Sequence, residues 1–401
     1  MQKNNEIFKM DKIEELLTRG VSGIYPSRER LEEELKSGRK LRIYIGFDPT
    51  GKLHIGHMVV FKKLRQFQDL GHEVIVLIGD FTAQIGDPTD KSATRKKLTK
   101  EQVEENSKNY KELIGKIIDT EHADMKFLHN EQWSNKLKPV DMLELASNFT
   151  VQQLIERDMF QERLKSGKEI YLHEFFYPVF QAYDSVTMDV DLELGGNDQT
   201  FNMLAGRALM KKLKNKEKFV LSTKLLTDPA GKKMGKSEGN VINLDDDAQT
   251  IFGKIMAYPD ELIIIGFELL TNKSMDEIKL LESQLGREVN PRDAKADLAY
   301  EIVRQLYSDS EAKEAKENFK NVFSKREMPE KIEEKEASAK SIVDLLVEVG
   351  FAGSRSEARR LVEQNAVKID DSLASLEKVF NSGDAFILRV GKLKFLKVKI
   401  K

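Results

Sequence analysis

Residues 39–81 hold two apolar runs joined by a segment of helical periodicity, and that succession restricts the fold more than any other feature of the chain. The first run, RKLRIYIGFDPTG, has Leu41, Ile43 and Ile45 apolar and is stopped by Pro49 and Gly51. That is how a strand entering a turn reads. HIGHMVVFKKLRQFQDLG follows with apolar residues at helical spacing and closes at Gly71, as a helix does. HEVIVLIGDF is then a continuous apolar run, the pattern of a strand buried on both faces. Strand, helix and strand in this order predict a βαβ unit within a Rossmann-like, doubly wound parallel α/β sheet.

The rest of the chain divides by pattern. MDKIEELLTRG predicts a short helix closed by Gly20. Residues 100–190 read as mainly helical, an insertion into the α/β domain. MDVDLELGGNDQ is a further strand-to-loop candidate, followed by the helix TFNMLAGRALMKKL. Beyond Lys233 the character changes, and amphipathic helices such as DAKADLAYEIVRQLY dominate residues 245–324. SKREMPEKIEEKEASAK is charged without a large apolar cluster and reads as a linker. The tail regains a core pattern of two helices, SIVDLLVEVG and SRSEARRLVEQ, and short strands, AVKID, DAFILRV and KFLKVKI. The expected bounds are an α/β domain at 1–232, a helical domain at 233–324, a linker at 325–340 and a small α+β domain at 341–401.

Composition narrows the chemistry. With 401 residues the chain can bury two or three cores. It has no cysteine, which excludes disulfides, thiolate metal sites and cysteine nucleophiles. A net charge of −2 makes any nucleic-acid surface a local patch. The N-terminus is charged throughout and no apolar run has the length of a membrane span, so a cytoplasmic protein without membrane contact is expected.

His54 and His57, in DPTGKLHIGH, admit three readings. As metal ligands they need a third partner, and the other histidines, His72, His122, His129 and His173, show no tight ligand spacing. As structural residues they cap or pack a helix start. As phosphate donors they sit in the first turn of a helix after a strand, where free N–H groups and the positive helix end favour anions. Gly56 lies between them, where a missing side chain lets a flat ring approach the backbone. About 175 residues later, GKKMGKSEGN carries Lys233 and Lys236 among three glycines, able to swing onto a polyphosphate. Alone it reads as a solvated basic loop.

The two stretches together resemble the paired signatures of the class I aminoacyl-tRNA synthetases. YIGFDPTGKLHIGH, GDFTAQIGDPTDKS, YPVFQAYD, LGGNDQ and KKMGKSEGN, in that order, resemble the bacterial tyrosyl-tRNA synthetase family over nearly the whole chain. The loop reads KMGKS where the class pattern has KMSKS, and both lysines remain. The resemblance implies that L-tyrosine and ATP give tyrosyl-adenylate and pyrophosphate, after which tyrosine passes to the terminal adenosine of tRNA(Tyr). Chemistry of this kind needs positioning and charge stabilisation more than covalent help. By resemblance, His54, His57, Lys233, Lys236, Lys91 and Arg95 act on the phosphates. Asp48, Thr50, Gly56, Gly196 and Asp198 hold ATP. Mg²⁺ arrives with ATP, and no metal site of the protein's own is implied.

The stripe in YPVFQAYD has a geometry of its own. Tyr177, Gln181 and Asp184 fall within an arc of roughly 60° on a helix. Such a stripe is either a solvent face or the wall of a pocket. The resemblance makes it the tyrosine pocket, with Tyr44 and Asp184 at the phenol and Asp87, Tyr177, Gln181 and Gln199 at the ammonium. A site built to bind a hydroxyl rejects the analogue lacking it, an effect for which tyrosyl-tRNA synthetases are themselves the standing example.

Residues 341–401 resemble an S4-type RNA-binding module. Lys and Arg number 11 and Asp and Glu 8 in this segment, so it is locally +3. Arg355, Arg359 and Arg360 lie on one helix side and are implied tRNA contacts. The helical domain at 233–324 would then face the anticodon, and a homodimer is the family expectation. Three rivals stand beside this reading: the tryptophan enzyme of the same class, a small-molecule nucleotidylyltransferase with an HxGH-like site, and a non-catalytic RNA-binding regulator on a synthetase scaffold.

Overall fold

The computed structural model describes residues 2–87, 98–227, 241–324, 332–370, 372–391 and 394–401. Its contacts separate two compact units, Met1–Lys313 and Glu314–Lys401. Among the described residues the sheet of the first unit comprises β1 (Val21–Tyr25), β2 (Arg42–Phe47), β3 (Glu73–Ile78), β4 (Met125–His129), β5 (Leu192–Gly196) and β6 (Phe219–Thr223). Their order is β1-β6-β5-β2-β3-β4. The expected pair, β2 and β3, is parallel and in register from Arg42 opposite Glu73 to Phe47 opposite Ile78. From β2 the chain proceeds outward to β3 and β4, then returns to the other side of β2 with β5 and β6. This is the doubly wound arrangement, and a crevice opens where the winding reverses, beyond the ends of β2 and β5.

Three features depart from the expectation. The sheet is not wholly parallel: β1 runs antiparallel to β6 along an edge, with a register shift between Val21 and Gly23. β4 interrupts the stretch 100–190 that reads as helical, because pairing with β3 decides its conformation. The first helix spans Gln2–Thr18 and is longer than MDKIEELLTRG suggested.

The helix Ile55–Asp69 carries the chain from β2 to β3 and buries Met58, Phe61, Leu64 and Phe67. The helix Phe176–Met188 contributes Val179, Ala182 and Val186 to a core shared with Tyr44, Ile75 and Leu209. Leu209 belongs to the helix Thr200–Lys214, whose start follows directly on the loop after β5. Helices at Ala248–Met256, Leu262–Leu270, Met275–Gln284 and Pro291–Leu306 bear out the helical character beyond residue 245 and fall within the first unit. Among the described residues no helix is long and apolar enough to cross a membrane.

The second unit has the sheet order β7-β11-β10-β8-β9, with β7 (Glu334–Ala337), β8 (Val367–Ile369), β9 (Ser372–Leu373), β10 (Ala385–Val390) and β11 (Lys394–Ile400). Helices Ile342–Glu348 and Arg355–Glu363 form where the tail's periodicity placed them. Ile342, Leu345, Val367, Leu388 and Val398 are fully buried in its core. The expected linker thus contains a strand: β7 pairs parallel with β11. Glu334, Lys335 and Glu336 are exposed and only Ala337 is buried, so main-chain pairing holds this edge without an apolar pattern.

Candidate active site

A cleft of about 650 Å³ opens beyond the ends of β2 and β5, at the point where the winding reverses. Its walls include Tyr44, Asp48, Thr50, His54, Gly56, His57, Asp87, Tyr177, Gln181, Asp184, Gly196, Asp198 and Gln199. Those are all the tyrosine and ATP positions that the resemblance implied within the described residues. Lys91, Arg95, Lys233 and Lys236 lie outside them.

The histidines are ordered by the backbone of their own helix start. His54 is the N-cap, extended at φ −130° and ψ 172°. Its Nδ1 accepts the Gly56 N–H at 3.1 Å, and the Nδ1 of His57 accepts the His54 N–H at 3.1 Å. With both Nδ1 atoms accepting, each neutral ring carries its proton on Nε2 and offers that atom as a donor. The ring centroids are 4.0 Å apart, and His57 packs on Phe61 at 6.3 Å. Packing on Phe61 is therefore compatible with a donor role at Nε2. The segment after residue 240 returns to this motif. The Ile55 N–H donates to the Ile242 carbonyl and the Leu244 N–H to the Leu53 carbonyl, both at 2.9 Å.

Asp48, in the cleft wall, is held by two hydroxyls. Its Oδ2 accepts from the Tyr177 hydroxyl at 3.0 Å and its Oδ1 from Thr82 Oγ1 at 2.7 Å. Gly79 makes room for that pair, since a Cβ there would lie 2.2 Å from Asp48 Oδ1 and 2.5 Å from Thr82 Oγ1. Gly196 does the same for Asp198, whose Oδ1 would meet a Cβ at 2.6 Å. Burial, followed by the charge of Asp48, pushes the Tyr177 hydroxyl well above the ordinary phenol range.

The polar stripe is the wall of a pocket and not a solvent face. Tyr177 and Asp184 are buried and Gln181 half-buried. Asp184, 2% exposed, accepts from Trp133 Nε1 at 2.7 Å and from Asn130 Nδ2 at 3.2 Å. Burial outweighs those two donors and pushes its pKa up to about 8. Tyr44 is fully buried on β2, and its hydroxyl lies 3.0 Å from Ser185 Oγ. At the other end, Asp87 accepts from Gln199 Nε2 at 2.8 Å and from Arg157 Nη2 at 3.3 Å.

Sequence reasoning missed several of these partners. Trp133 is the chain's single tryptophan, which was the one available signal. Asn130, Arg157 and Thr82 carry none, because each acquires its role from a contact 34 to 70 residues away in sequence. Among the described residues, no group of three or more His, Asp or Glu side chains gathers as a metal cage.

In the second unit, Arg355, Arg359 and Arg360 are exposed on the helix Arg355–Glu363. Arg355 Nη2 pairs with Asp344 Oδ1 at 3.1 Å.

The profile of the class I tRNA synthetases (W and Y) matches residues 36–324, and that of the tyrosine–tRNA ligase SYY-like C-terminal domain matches residues 318–398. The tyrosine–tRNA ligase of Thermotoga maritima is 44% identical over 377 residues, 93% of this chain and 94% of that protein. That of Carboxydothermus hydrogenoformans is 44% identical over 399 residues, 96% and 97% of the two chains. Among solved structures, a C-terminally truncated mitochondrial tyrosyl-tRNA synthetase of Aspergillus nidulans has a TM-score of 0.65 at 23% identity, covering 78% of this chain and 94% of that one. The Archaeoglobus fulgidus tyrosyl-tRNA synthetase complexed with L-tyrosine has a TM-score of 0.60 at 23% identity, covering 76% and 99%. These last two speak for the fold, and the profile and the curated relatives for the family. The chain belongs to the tyrosine–tRNA ligases, a family of class I aminoacyl-tRNA synthetases.

Proposed function

We propose that the cleft joins L-tyrosine to ATP and then passes the tyrosyl group to tRNA(Tyr). A carboxylate oxygen of tyrosine forms a bond to the α-phosphorus as the bond to pyrophosphate breaks. A ribose hydroxyl of the terminal adenosine then attacks the tyrosyl carbonyl, loses its proton, and AMP leaves. The observation that carries this reading is the presence of two kinds of site in one cleft: paired imidazoles at a helix start, and a buried carboxylate, Asp184. Donors fixed before reaction stabilise developing charge without reorganising.

In this reading Nε2–H of His54 and of His57 donate to phosphate oxygens. Gly56 leaves space under the adenine, and Asp48, Thr50, Gly196 and Asp198 bind the nucleotide. Asp184 and Tyr44 take the phenol hydroxyl, and Asp87, Tyr177, Gln181 and Gln199 the ammonium. Lys233, Lys236, Lys91 and Arg95 act on the departing pyrophosphate. Mg²⁺ escorting ATP fits this donor set, because that ion keeps waters and phosphate oxygens as ligands and needs only one or two carboxylates. It would shield the triphosphate charge. Residues 1–232 form the catalytic domain and 233–324 the anticodon-facing one; of the 325–340 stretch, β7 belongs with 341–401 to the S4-like tRNA contact and the residues before it form the connection. A homodimer in the cytoplasm completes the proposal, and sedimentation of the purified protein at two concentrations tests the dimer.

Amino-acid-dependent ATP–pyrophosphate exchange tests the central claim. Tyrosine should stimulate exchange and tryptophan should not. Stimulation by tryptophan alone assigns the cleft to the other substrate of the class, and no stimulation by any amino acid favours the RNA-binding regulator.

A further inference from the structure

Behind the wall of the cleft lies a buried charge pair that the reaction as described does not use. Lys218, immediately before β6, and Glu193, on β5, are 0% and 2% exposed. Lys218 Nζ donates to Glu193 Oε2, to Ser185 Oγ at 2.8 Å and to the Met203 carbonyl at 3.2 Å. These partners match the three donors of an ammonium. The other carboxylate oxygen, Glu193 Oε1, accepts from Gln181 Nε2 at 2.9 Å. Ser185 Oγ is 3.0 Å from the Tyr44 hydroxyl and 3.4 Å from Glu193 Oε2. One carboxylate thus reaches two polar groups of the cleft wall: Gln181 directly, and Tyr44 through Ser185.

Stability does not explain such a pair. Burying two ions costs more solvation than their attraction commonly returns, and apolar replacements of buried pairs are often neutral or stabilising. The surroundings are nevertheless shaped for it. A Cβ on Gly206 would lie 2.5 Å from Lys218 Nζ, 2.9 Å from Ser185 Oγ and 3.3 Å from Glu193 Oε2. No residue larger than glycine leaves the network room.

The consequence is directional. With Gln181 Nε2 engaged by Glu193, the far end of that amide is its carbonyl oxygen, an acceptor suited to an ammonium. With Lys218 donating to Ser185 Oγ, the Ser185 proton is directed to the Tyr44 oxygen at 3.0 Å, a shorter contact than the 3.4 Å to Glu193 Oε2. The Tyr44 proton then faces the phenol oxygen of a substrate whose own proton goes to Asp184. We propose that Lys218 and Glu193 are positioning residues for amino-acid recognition, setting the Tyr44 hydroxyl through Ser185 and the orientation of the Gln181 amide directly. This rests on the reading of the cleft as the tyrosine site. Neither residue touches the reacting atoms.

The test compares ATP–pyrophosphate exchange with tyrosine and with phenylalanine in the full chain, in Ser185→Ala, in Ser185→Thr and in the charge-neutral double variant Lys218→Met/Glu193→Gln. Ser185→Ala should raise the KM for tyrosine and cut the tyrosine-over-phenylalanine ratio of kcat/KM by about tenfold, with the KM for ATP within about twofold of the parent. Ser185→Thr, which keeps the hydroxyl, should restore the ratio. The double variant should show the same loss together with a further rise in the KM for tyrosine, from the released Gln181 amide. Should it fail to fold, the Ser185 pair still decides the matter. A folded Ser185→Ala protein with an unchanged ratio overturns the proposal, as does a parallel loss for tyrosine and ATP that threonine does not rescue. A parent protein that tyrosine does not stimulate overturns the reading of the cleft itself, a distinct outcome read before any variant is made.

Discussion

Trp133 Nε1 donates to Asp184 Oδ1 at 2.7 Å and so holds one oxygen of a carboxylate in the wall of the cleft. Once Asp184 is ionised this is a donor to a charged acceptor, the stronger kind of hydrogen bond. Asn130 Nδ2 supplies a second donor, at 3.2 Å to Oδ2. Both act to keep Asp184 ionised against the pull of burial.

Removing the indole donor while keeping an aromatic ring should therefore weaken tyrosine recognition and leave ATP alone. Trp133→Phe is expected to raise the KM for tyrosine by about tenfold, in line with about 1.5 kcal/mol for a bond to a charged group. The KM for ATP should stay near the parent value. Steady-state pyrophosphate exchange with each substrate varied in turn measures both. An unchanged KM for tyrosine removes Trp133 from the recognition network.

The pKa of Asp184 makes a second, pH-resolved expectation. Its carboxyl is pushed from 3.8 up to about 8 in the folded chain. The folded state holds this proton more tightly than the unfolded one, so the group's stabilising contribution is complete below pH 3.8 and is lost as pH rises toward 8. Asp184→Asn abolishes that dependence. The variant should melt at least about 2 °C above the parent at pH 8.5, with the gap closing toward pH 5. It should also lose tyrosine activation, since an ionised acceptor for the phenol is gone. For the parent, tyrosine affinity should improve as pH rises through about 8, because the ligand favours the carboxylate form. Calorimetric melting and tyrosine titrations across this range check both arms. A variant that melts below the parent at every pH contradicts the buried-charge account.

What was legible in the chain was what local periodicity encodes. The apolar alternation at Leu41, Ile43 and Ile45, the continuous run after His72 and the helical spacing between them specified β2, β3 and their crossover. The polar stripe of Tyr177, Gln181 and Asp184 could be drawn on a helix, but whether it met solvent or a pocket depended on β2 and β5, which approach it only in the fold. β1 and β7 were hidden for another reason. Each is an edge held by main-chain pairing, with Gly23 interrupting one and charged residues filling the other. Lys218 could not be told from a surface lysine, because its burial comes from Ser185, Glu193 and Met203, which lie 15 to 33 residues earlier in the chain.

The histidine geometry predicts a kinetic signature. If Nε2–H of His54 and His57 meet charge that develops on the phosphates, their loss should lower kcat more than it raises the KM for ATP. His54→Ala or His57→Ala should each reduce kcat for exchange by about 10²-fold, the usual effect of deleting one preorganised donor. His57→Asn is the informative companion. Its side-chain oxygen can still accept the His54 N–H while the amide offers a new donor, so it should lose less than His57→Ala. Equal losses in the two His57 variants would mean that the ring acts by packing on Phe61 and not as a donor.

The tail can be separated from the cleft, and β7 dictates where to cut. A truncation at residue 341 would remove β11 and leave its partner Glu334–Ala337 unpaired. Ending the chain after Ser324 removes the whole second sheet and avoids that exposed edge. The truncated protein should form tyrosyl-adenylate at near the parental rate, because every described wall of the cleft lies within Met1–Lys313. Transfer to tRNA(Tyr) should weaken strongly, mainly through KM. In the full chain, replacing Arg359 and Arg360 with Gln should raise the KM for tRNA. It should also flatten the salt dependence of that KM, by roughly one unit of log–log slope for each phosphate no longer neutralised. Aminoacylation measured across a range of salt concentrations reads this directly. A truncated protein that charges tRNA as well as its parent, or an unchanged salt slope in the arginine variants, would place the tRNA-binding surface elsewhere on the molecule.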